Sequence, residues 1–174
     1  MTQFIKDGNE RVVVFDTRPA DPAAITVTEW SGATDHSGAI VKPLDIDFDD
    51  PATFAFAVIN ALGNGQRPGK DNWHANVRIA RDFDPGTQQP DATSDFEIAL
   101  DTFGAKGETI RVGVYRGPKI VTDGALEAGD EYDYFEIIGG RAKSVADEET
   151  YIAKDVTCLP GDYAVSRGVL VSGV

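Results

Sequence analysis

The sequence TIRVGVYRGPKIVTDGALEAGDEYDYFEIIGG, residues 109–140, decides the fold class. Near its start Ile110, Val112 and Val114 alternate with other residues, which is the period-2 pattern of a half-buried β-strand. Residues 132–138 are rich in aromatic and β-branched side chains and predict a second long strand. Both strands belong to a scaffold, and nothing in them is typical of a catalytic site.

The connection between these strands contains a third short run at residues 119–122. Asp123-Gly124 and residues 128–130 supply turn signals suited to backbone with a positive φ. Three strands joined by short turns predict an antiparallel meander, one half of a β-sandwich or barrel.

The charge of the chain argues against a nucleic-acid-binding protein. Asp and Glu number 29 and Lys and Arg 16, for a net charge of −13. Proteins that bind nucleic acid through its phosphates need clustered Lys and Arg, so this chain is not expected to be one of them. The charge can simply keep the protein soluble, or it can form a surface that repels a polyanion and lets it slide past.

Length and composition predict one soluble domain spanning residues 1–174, without repeats or an internal boundary. The single cysteine, Cys158, is expected to be a small buried hydrophobe and not part of a disulfide. The first residues lack the apolar core of a signal peptide, and no apolar run approaches the roughly 20 residues of a membrane span. We therefore expect synthesis in the cytoplasm and no membrane association.

Alternating apolar residues predict further strands on both sides of the meander. These are residues 11–17, 25–30, 39–49, 73–83, 151–158 and 168–171, with a turn at 160–162. Trp30 and Trp73 are in phase with apolar neighbours, so either can be core. His36 lies in a polar segment and is predicted to be a solvated loop residue, while His74 is expected on the polar face of its strand. Residues 64–72 and 84–92 are predicted long loops, and residues 141–149 a polar segment.

Two segments have helical patterns. In residues 94–103, Ser94 and Glu97 form a capping-box pair, an apolar stripe can dock on a sheet, and Gly104 suits the end of the helix. Residues 51–62 follow acidic capping residues and carry Pro51 in the first turn, which also predicts a helix. Their apolar residues would alternate equally well as a strand.

A row of carboxylates is the most distinctive surface feature. Asp45, Asp47 and Asp49 alternate with apolar residues, which places one apolar face on the core and the acids outside. An EF-hand loop is rejected because Asp50 stands where Gly is needed and Phe56 where Glu is needed. Like charges on one strand face repel each other, so we interpret the row as a functional acidic surface.

Catalytic motifs are missing from the sequence. It has no phosphate-binding loop, dinucleotide fingerprint or nucleophile elbow. His36, His74 and Cys158 lie on different predicted elements without motif spacing. We therefore predict no enzyme, no cofactor and no metal site.

The order of elements resembles the major tail tube proteins of long, non-contractile-tailed bacteriophages, particularly those of actinobacterial hosts. The resemblance rests on the capped helix SDFEIALDTFG, a strand ending in Tyr115-Arg116-Gly117, the Gly129-Asp130 turn and the strand EYDYFEII. It is best over residues 92–138. A second helix at residues 51–62 departs from the simplest pattern of that family.

The resemblance implies a β-sandwich with a flanking helix, in which strands of neighbouring subunits join into a ring-shaped, β-lined tube. Such subunits form hexameric rings that stack in the virion tail and pass genomic DNA through an acidic channel without binding it specifically. The partners implied are other copies of the chain and further tail proteins: the tape measure, the terminator and the tail tip.

The resemblance also gives roles to particular segments. Asp45, Asp47 and Asp49 become candidates for the lumen. Candidates for contacts between rings are an N-terminal arm at residues 1–10 and the loop at residues 64–72, with its polar residues Gln66, Arg67, Lys70 and Asp71.

Three alternatives remain open at the level of sequence. One is another structural virion subunit, a capsid decoration or tail terminator protein. Another is a monomeric β-sandwich that binds sugar through exposed Trp30 and Trp73, or calcium through the acids at 45–50. The last is a small hydrolase whose paired carboxylates the sequence does not reveal.

Overall fold

The structure, a computed structural model, describes residues 9–50, 53–56, 65–68, 72–120, 124–146 and 152–173. It is mainly β, with 50% strand and 11% helix, which confirms the predicted fold class. The strands are β1 (Glu10–Phe15), β2 (Thr34–Asp35), β3 (Ile40–Phe48), β4 (Thr53–Phe56), β5 (Gly65–Pro68), β6 (Trp73–Ala80), β7 (Thr109–Arg116), β8 (Glu131–Ile138), β9 (Ala142–Ala146) and β10 (Ile152–Val169). The helices are α1 (Val27–Gly32) and α2 (Asp95–Phe103).

The strands form one curled antiparallel sheet that closes halfway into a barrel. Its order is β2-β1-β7-β8-β10-β6-β3, with β9 on β10, and β4 and β5 form a separate hairpin. Of the three-strand meander predicted around residues 109–138, the first and third strands are confirmed as β7 and β8, which pair directly with each other. Residues 119 and 120, the described part of the predicted short run between them, are not in a strand.

The sheet is buried on both of its faces where β1, β7 and β8 lie together. One face carries Val12 and Val14 into a core that also receives α2, β6 and β3, while Val13 and Phe15 point into a second core beneath α1. A strand covered on both sides needs a nearly continuous apolar run, which is what the VVVF of β1 supplies. The result is three layers, with α1 on one side of the central sheet and α2 with the β3–β6 part on the other.

Residues 25–30 do not form the predicted strand, because the chain turns into α1 instead. The Thr26 side chain accepts a hydrogen bond from the Glu29 N–H, and the Glu29 carboxylate accepts one from the Thr26 N–H at 2.9 Å. This reciprocal capping box satisfies amide groups at the start of the helix, which outweighs the β-propensity of the segment. Its T-x-x-E signal was present in the sequence.

The helix at residues 94–103 is confirmed as α2. Ser94 caps it by accepting from the Glu97 N–H, and Ala99 and Phe103 are fully buried. The second half of the predicted capping box is replaced, since the Glu97 carboxylate binds the Arg81 guanidinium of the sheet.

The predicted helix at residues 51–62 is wrong where the structure describes it, since Thr53–Phe56 form β4. The predicted loop at residues 64–72 is likewise wrong over Gly65–Pro68, which form β5 and pair with β4. The rest of these two segments, apart from Asn72, lies outside the described residues. Two strands in register satisfy each other's backbone groups, and this hairpin pairing overrides the helical pattern of the segment.

The end of the chain also differs from the prediction. Pro160, Gly161 and Asp162 do not reverse the chain but lie within the single strand β10, where the register shifts between Pro160 and Ala164. This bulge lets one strand leave β6 and continue along β8. The polar segment at 141–149 contains β9, which the polar composition concealed.

His36 is not the solvated loop residue that was predicted. It is 3% exposed, and its ring lies 5.9 Å from that of Phe103, centroid to centroid. Burial lowers its pKa, since an imidazolium would lose its hydration there. The sequence pattern could not reveal this because α2, which covers His36, lies far along the chain.

Candidate functional site

The predicted carboxylate row follows β3 as expected. Ile46 is fully buried, while Asp45 and Asp47 on either side of it point away from the core. Asp49 lies just after β3 and extends its hydrogen bonding toward β6, since its N–H donates to the Asn72 carbonyl at 2.9 Å. The structure therefore brings the three acids to one surface, which we call the acidic β3–β6 face together with His74 and Asn76 of β6.

His74 occupies the centre of this face. Its Nδ1 lies 2.5 Å from the Asp49 carboxylate, and its Nε2 lies 2.9 Å from the Asp45 carboxylate. The Asn76 amide also donates to Asp45 at 2.7 Å. The β3–β6 register explains the cluster, because it sets Asp45 opposite Asn76 and Asp47 opposite His74.

These contacts change the protonation of the groups involved. Hydrogen bonding to Asp49, and then to Asp45, raises the pKa of His74 despite partial burial. Hydrogen bonds from Asn76, and then from His74, lower the pKa of Asp45. The carboxylates of the face thus favour the charged form of His74, and the Asp45 and Asp49 carboxylates are both bound to its ring.

Next to the acidic face the surface is of mixed charge. Arg78 of β6 forms a two-pronged ion pair with Asp155 of β10, with N–O distances of 2.7 and 3.0 Å. A shallow cleft of about 300 Å³ lies between this pair, Asp45 and the irregular Lys42-Pro43 step of β3. Its lining has no convergent set of nucleophile and base.

The outer edge of β3 is protected against pairing with another strand. Arg116 donates from its guanidinium to the Ile46 carbonyl, and Asp47 accepts from the Phe48 N–H at 2.8 Å. Pro43 contributes no N–H to this edge. Edge strands that carry Lys and Pro and whose backbone groups are already bound resist the addition of a further strand.

The residues predicted to contact neighbouring subunits are only partly described. Gln66 and Arg67 lie in β5, opposite Ala55 and Phe54 of β4. Lys70 and Asp71, and residues 1–8 of the predicted N-terminal arm, lie outside the described residues.

The sugar-binding alternative requires exposed tryptophans, but Trp30 and Trp73 are only 6% and 9% exposed and cannot stack on a sugar.

Within the described residues, no three His, Cys, Asp or Glu side chains are placed to hold a metal ion. In the same part of the chain, no helix is long and apolar enough to cross a membrane.

A comparison with known protein families decides among the remaining interpretations. The sequence model of the family described as phage tail tube protein matches residues 1–173. The chain belongs to the phage tail tube protein family. No curated protein matches the chain.

Membership in the tail tube family implies a structural role without catalysis, a place in the virion tail, and assembly with itself and with other tail proteins. Sequence reasoning found the acids of this tail tube protein but missed the roles of His74 and Arg116. The only indication of a role for His74 in the sequence was its place on the polar face of a predicted strand. Its partners were unknown until the pairing of β3 with β6 was known.

Proposed function

We propose that this tail tube protein assembles into stacked hexameric rings that enclose a channel through which genomic DNA passes into the host cell. The family match over residues 1–173 carries the proposal. A curled antiparallel sheet supports it, because such a sheet from each subunit can contribute one sector of a continuous β-lined wall.

The acidic β3–β6 face is the surface that we assign to the channel wall. Asp45, Asp47 and Asp49 lie on the side of β3 away from the core, and the whole chain carries a net charge of −13. Fixed carboxylates repel DNA phosphates, so DNA would move along the wall without adhering to it.

We assign the contact between neighbouring subunits in a ring to β10. Among the described residues, seven large apolar side chains are exposed, and five of them are on β10 or directly after it: Ile152, Leu159, Tyr163, Val169 and Val171. β6 covers one side of β10 only over residues 153–158, and no described strand continues beyond it along 159–169. Leu159, Tyr163 and Val169 lie along this uncovered stretch, and apolar side chains beside open backbone groups favour burial against another subunit.

The remaining contacts follow from the same proposal. The loop containing Gln66, Arg67, Lys70 and Asp71, and the arm at residues 1–10, would reach the next ring. The tape measure, terminator and tail tip proteins would bind the inside and the two ends of the tube, and assembly would take place in the host cytoplasm.

Electron microscopy combined with light scattering over a range of concentrations tests the assembly. We expect hollow tubes in which rings are stacked along one axis, and particles with a mass far above the 18.7 kDa of one chain. Discrete rings that never stack would favour a terminator-like subunit instead. A monomer at every concentration, also after seeding with sheared tubes, would contradict self-assembly.

Substitution of Leu159 tests the contact assigned to β10. Leu159 is 62% exposed, so Leu159→Asp should leave the fold intact while introducing a charge into the subunit contact. We expect the concentration needed for assembly to rise at least tenfold. Ile98→Asp, at an exposed apolar position on α2, is the control and should assemble normally; equal effects of the two would refute the assignment.

Charge reversal tests the channel wall. Tubes in which Asp45, Asp47 and Asp49 are replaced by Lys should retain short DNA duplexes that wild-type tubes release, and added salt should reverse the effect. The control reverses three exposed acids elsewhere: Asp82, Asp101 and Glu108. If the control retains as much DNA, or the Lys variant retains none, the acidic face does not line the channel.

A further inference from the structure

The acidic β3–β6 face contains an arrangement that the tube function does not require. Both ring nitrogens of His74 lie within hydrogen-bonding distance of a carboxylate, at 2.5 Å for Asp49 and 2.9 Å for Asp45. A neutral imidazole has one N–H and one acceptor nitrogen, so it can donate to only one of them. When both carboxylates are ionised, only the imidazolium can donate to both of them.

We propose that His74 is a doubly protonated bridge that fastens the end of β3 to β6, and that loss of its proton releases the bridge and makes the acidic face more negative. This inference is independent of the tube proposal, because it concerns contacts within one chain. Since Asp49 lies just beyond β3, the bridge holds the chain at the point where it leaves the sheet toward β4.

The acidic groups around His74 favour the charged form and outweigh its partial burial. On β3 and just after it lie Asp45, Asp47 and Asp49. Along β6 the next outward residue is Asn76, which is neutral and bound to Asp45, followed by Arg78. Arg78 is neutralised by Asp155 of β10 at 2.7 Å, and Thr157 of β10 lies opposite Asn76.

Release of the proton changes the charge of the face. Three carboxylates and one imidazolium carry a formal charge of −2, which becomes −3 when His74 is neutral. The pKa of His74 is raised in the folded protein, first by Asp49 and then by Asp45. The bridge therefore contributes its full stabilisation below the ordinary histidine pKa of about 6.5, and the contribution is lost as the pH rises through the higher folded value.

Nuclear magnetic resonance titration of the histidine ring protons tests the bridge directly. The chain has two histidines, so a His36→Asn variant assigns both signals, and in the intact protein the buried His36 reports whether the fold is preserved. We expect His74 to titrate above the ordinary histidine value, and Asp49→Asn and Asp45→Asn each to lower its midpoint.

Asp47→Asn is the matched control, because it removes the same charge from the same face without breaking a contact to His74. It should shift the His74 midpoint less than either bridging variant. The bridge is refuted if wild-type His74 titrates at or below the ordinary value, or if Asp47→Asn lowers the midpoint as much as Asp49→Asn while the His36 signal stays in place.

Discussion

Gly113 on β7 allows α1 to pack against the central sheet, and its replacement by alanine gives a sharp test of that packing. A Cβ at this position would lie 2.7 Å from Cζ3 of Trp30, and 3.0 Å from both Cη2 of Trp30 and Cε2 of Phe15. Carbon atoms in contact prefer separations of about 3.5–4.0 Å. Trp30 is 6% exposed and held among aromatic rings, so it has little room to move.

The expected magnitude is a balance of two effects. Forcing an extra methyl group into a packed core costs about 1–3 kcal/mol. Alanine also restricts the unfolded chain, which returns about 0.4–1 kcal/mol where the backbone conformation is compatible. With both effects near the middle of their ranges, Gly113→Ala should lower the free energy of unfolding by about 1–2 kcal/mol, equivalent to a fall in Tm of roughly 2–8 °C for a chain of this size.

Urea denaturation of the monomer, followed by tryptophan fluorescence and circular dichroism, measures this change. Trp30→Phe removes Cζ3 and Cη2 of Trp30 and leaves only the looser approach to Cε2 of Phe15, so Gly113→Ala should cost less in that background, with a coupling free energy of at least about 1 kcal/mol. Gly38→Ala, which meets no atom within 4 Å, is the control and should change stability little. The packing of α1 on β7 is refuted if Gly113→Ala is neutral, or costs as much with Phe at position 30.

Four further substitutions test other parts of the fold by urea denaturation. Arg81→Met leaves the buried Glu97 carboxylate unpaired and should lower the free energy of unfolding by about 3–5 kcal/mol. Arg78→Met breaks an ion pair with Asp155 that is about 40% exposed, and should lower it by less than about 1 kcal/mol. Equal losses would contradict the burial of the Arg81–Glu97 pair. Thr26→Ala removes the cap of α1 and should cost about 1 kcal/mol, and no loss would contradict the capping box. Burial lowers the pKa of His36, so at acidic pH the unfolded chain binds a proton that the folded protein does not. The wild type should therefore lose stability relative to His36→Asn as the pH falls below the ordinary histidine pKa. The same pH dependence in both proteins would contradict this.

The local patterns that were interpreted correctly belong to elements whose environment is uniform along their length. β7 was predicted because its apolar residues recur at every second position, and β8 because it is rich in aromatic and β-branched residues. Gly124 and Gly129 adopt the positive φ values that their turn context required. α2 was predicted because its cap and its apolar stripe agree. In each case the local preference and the tertiary environment favour the same structure.

The errors occur where long-range pairing or a competing local signal prevails. Residues 25–30 alternate like a strand, but the capping box and the Gly113 pocket for Trp30 make them α1. Residues 53–56 carry a helical pattern, but hydrogen bonding to β5 makes them β4. Pro160-Gly161 is typical of a turn, but in the structure it lies at a β-bulge within β10.

By itself, the sequence determined the β-rich class, the two-faced acidic strand at Asp45 and Asp47, and the resemblance to tail tube proteins that the family match confirms. These depend on side-chain period, charge and element order, which are local properties of the chain. Only the tertiary structure decided that His74 bridges two carboxylates and that His36 is buried. Both facts depend on which distant segments meet, since β3 reaches β6 and α2 covers residue 36 only after the sheet has curled.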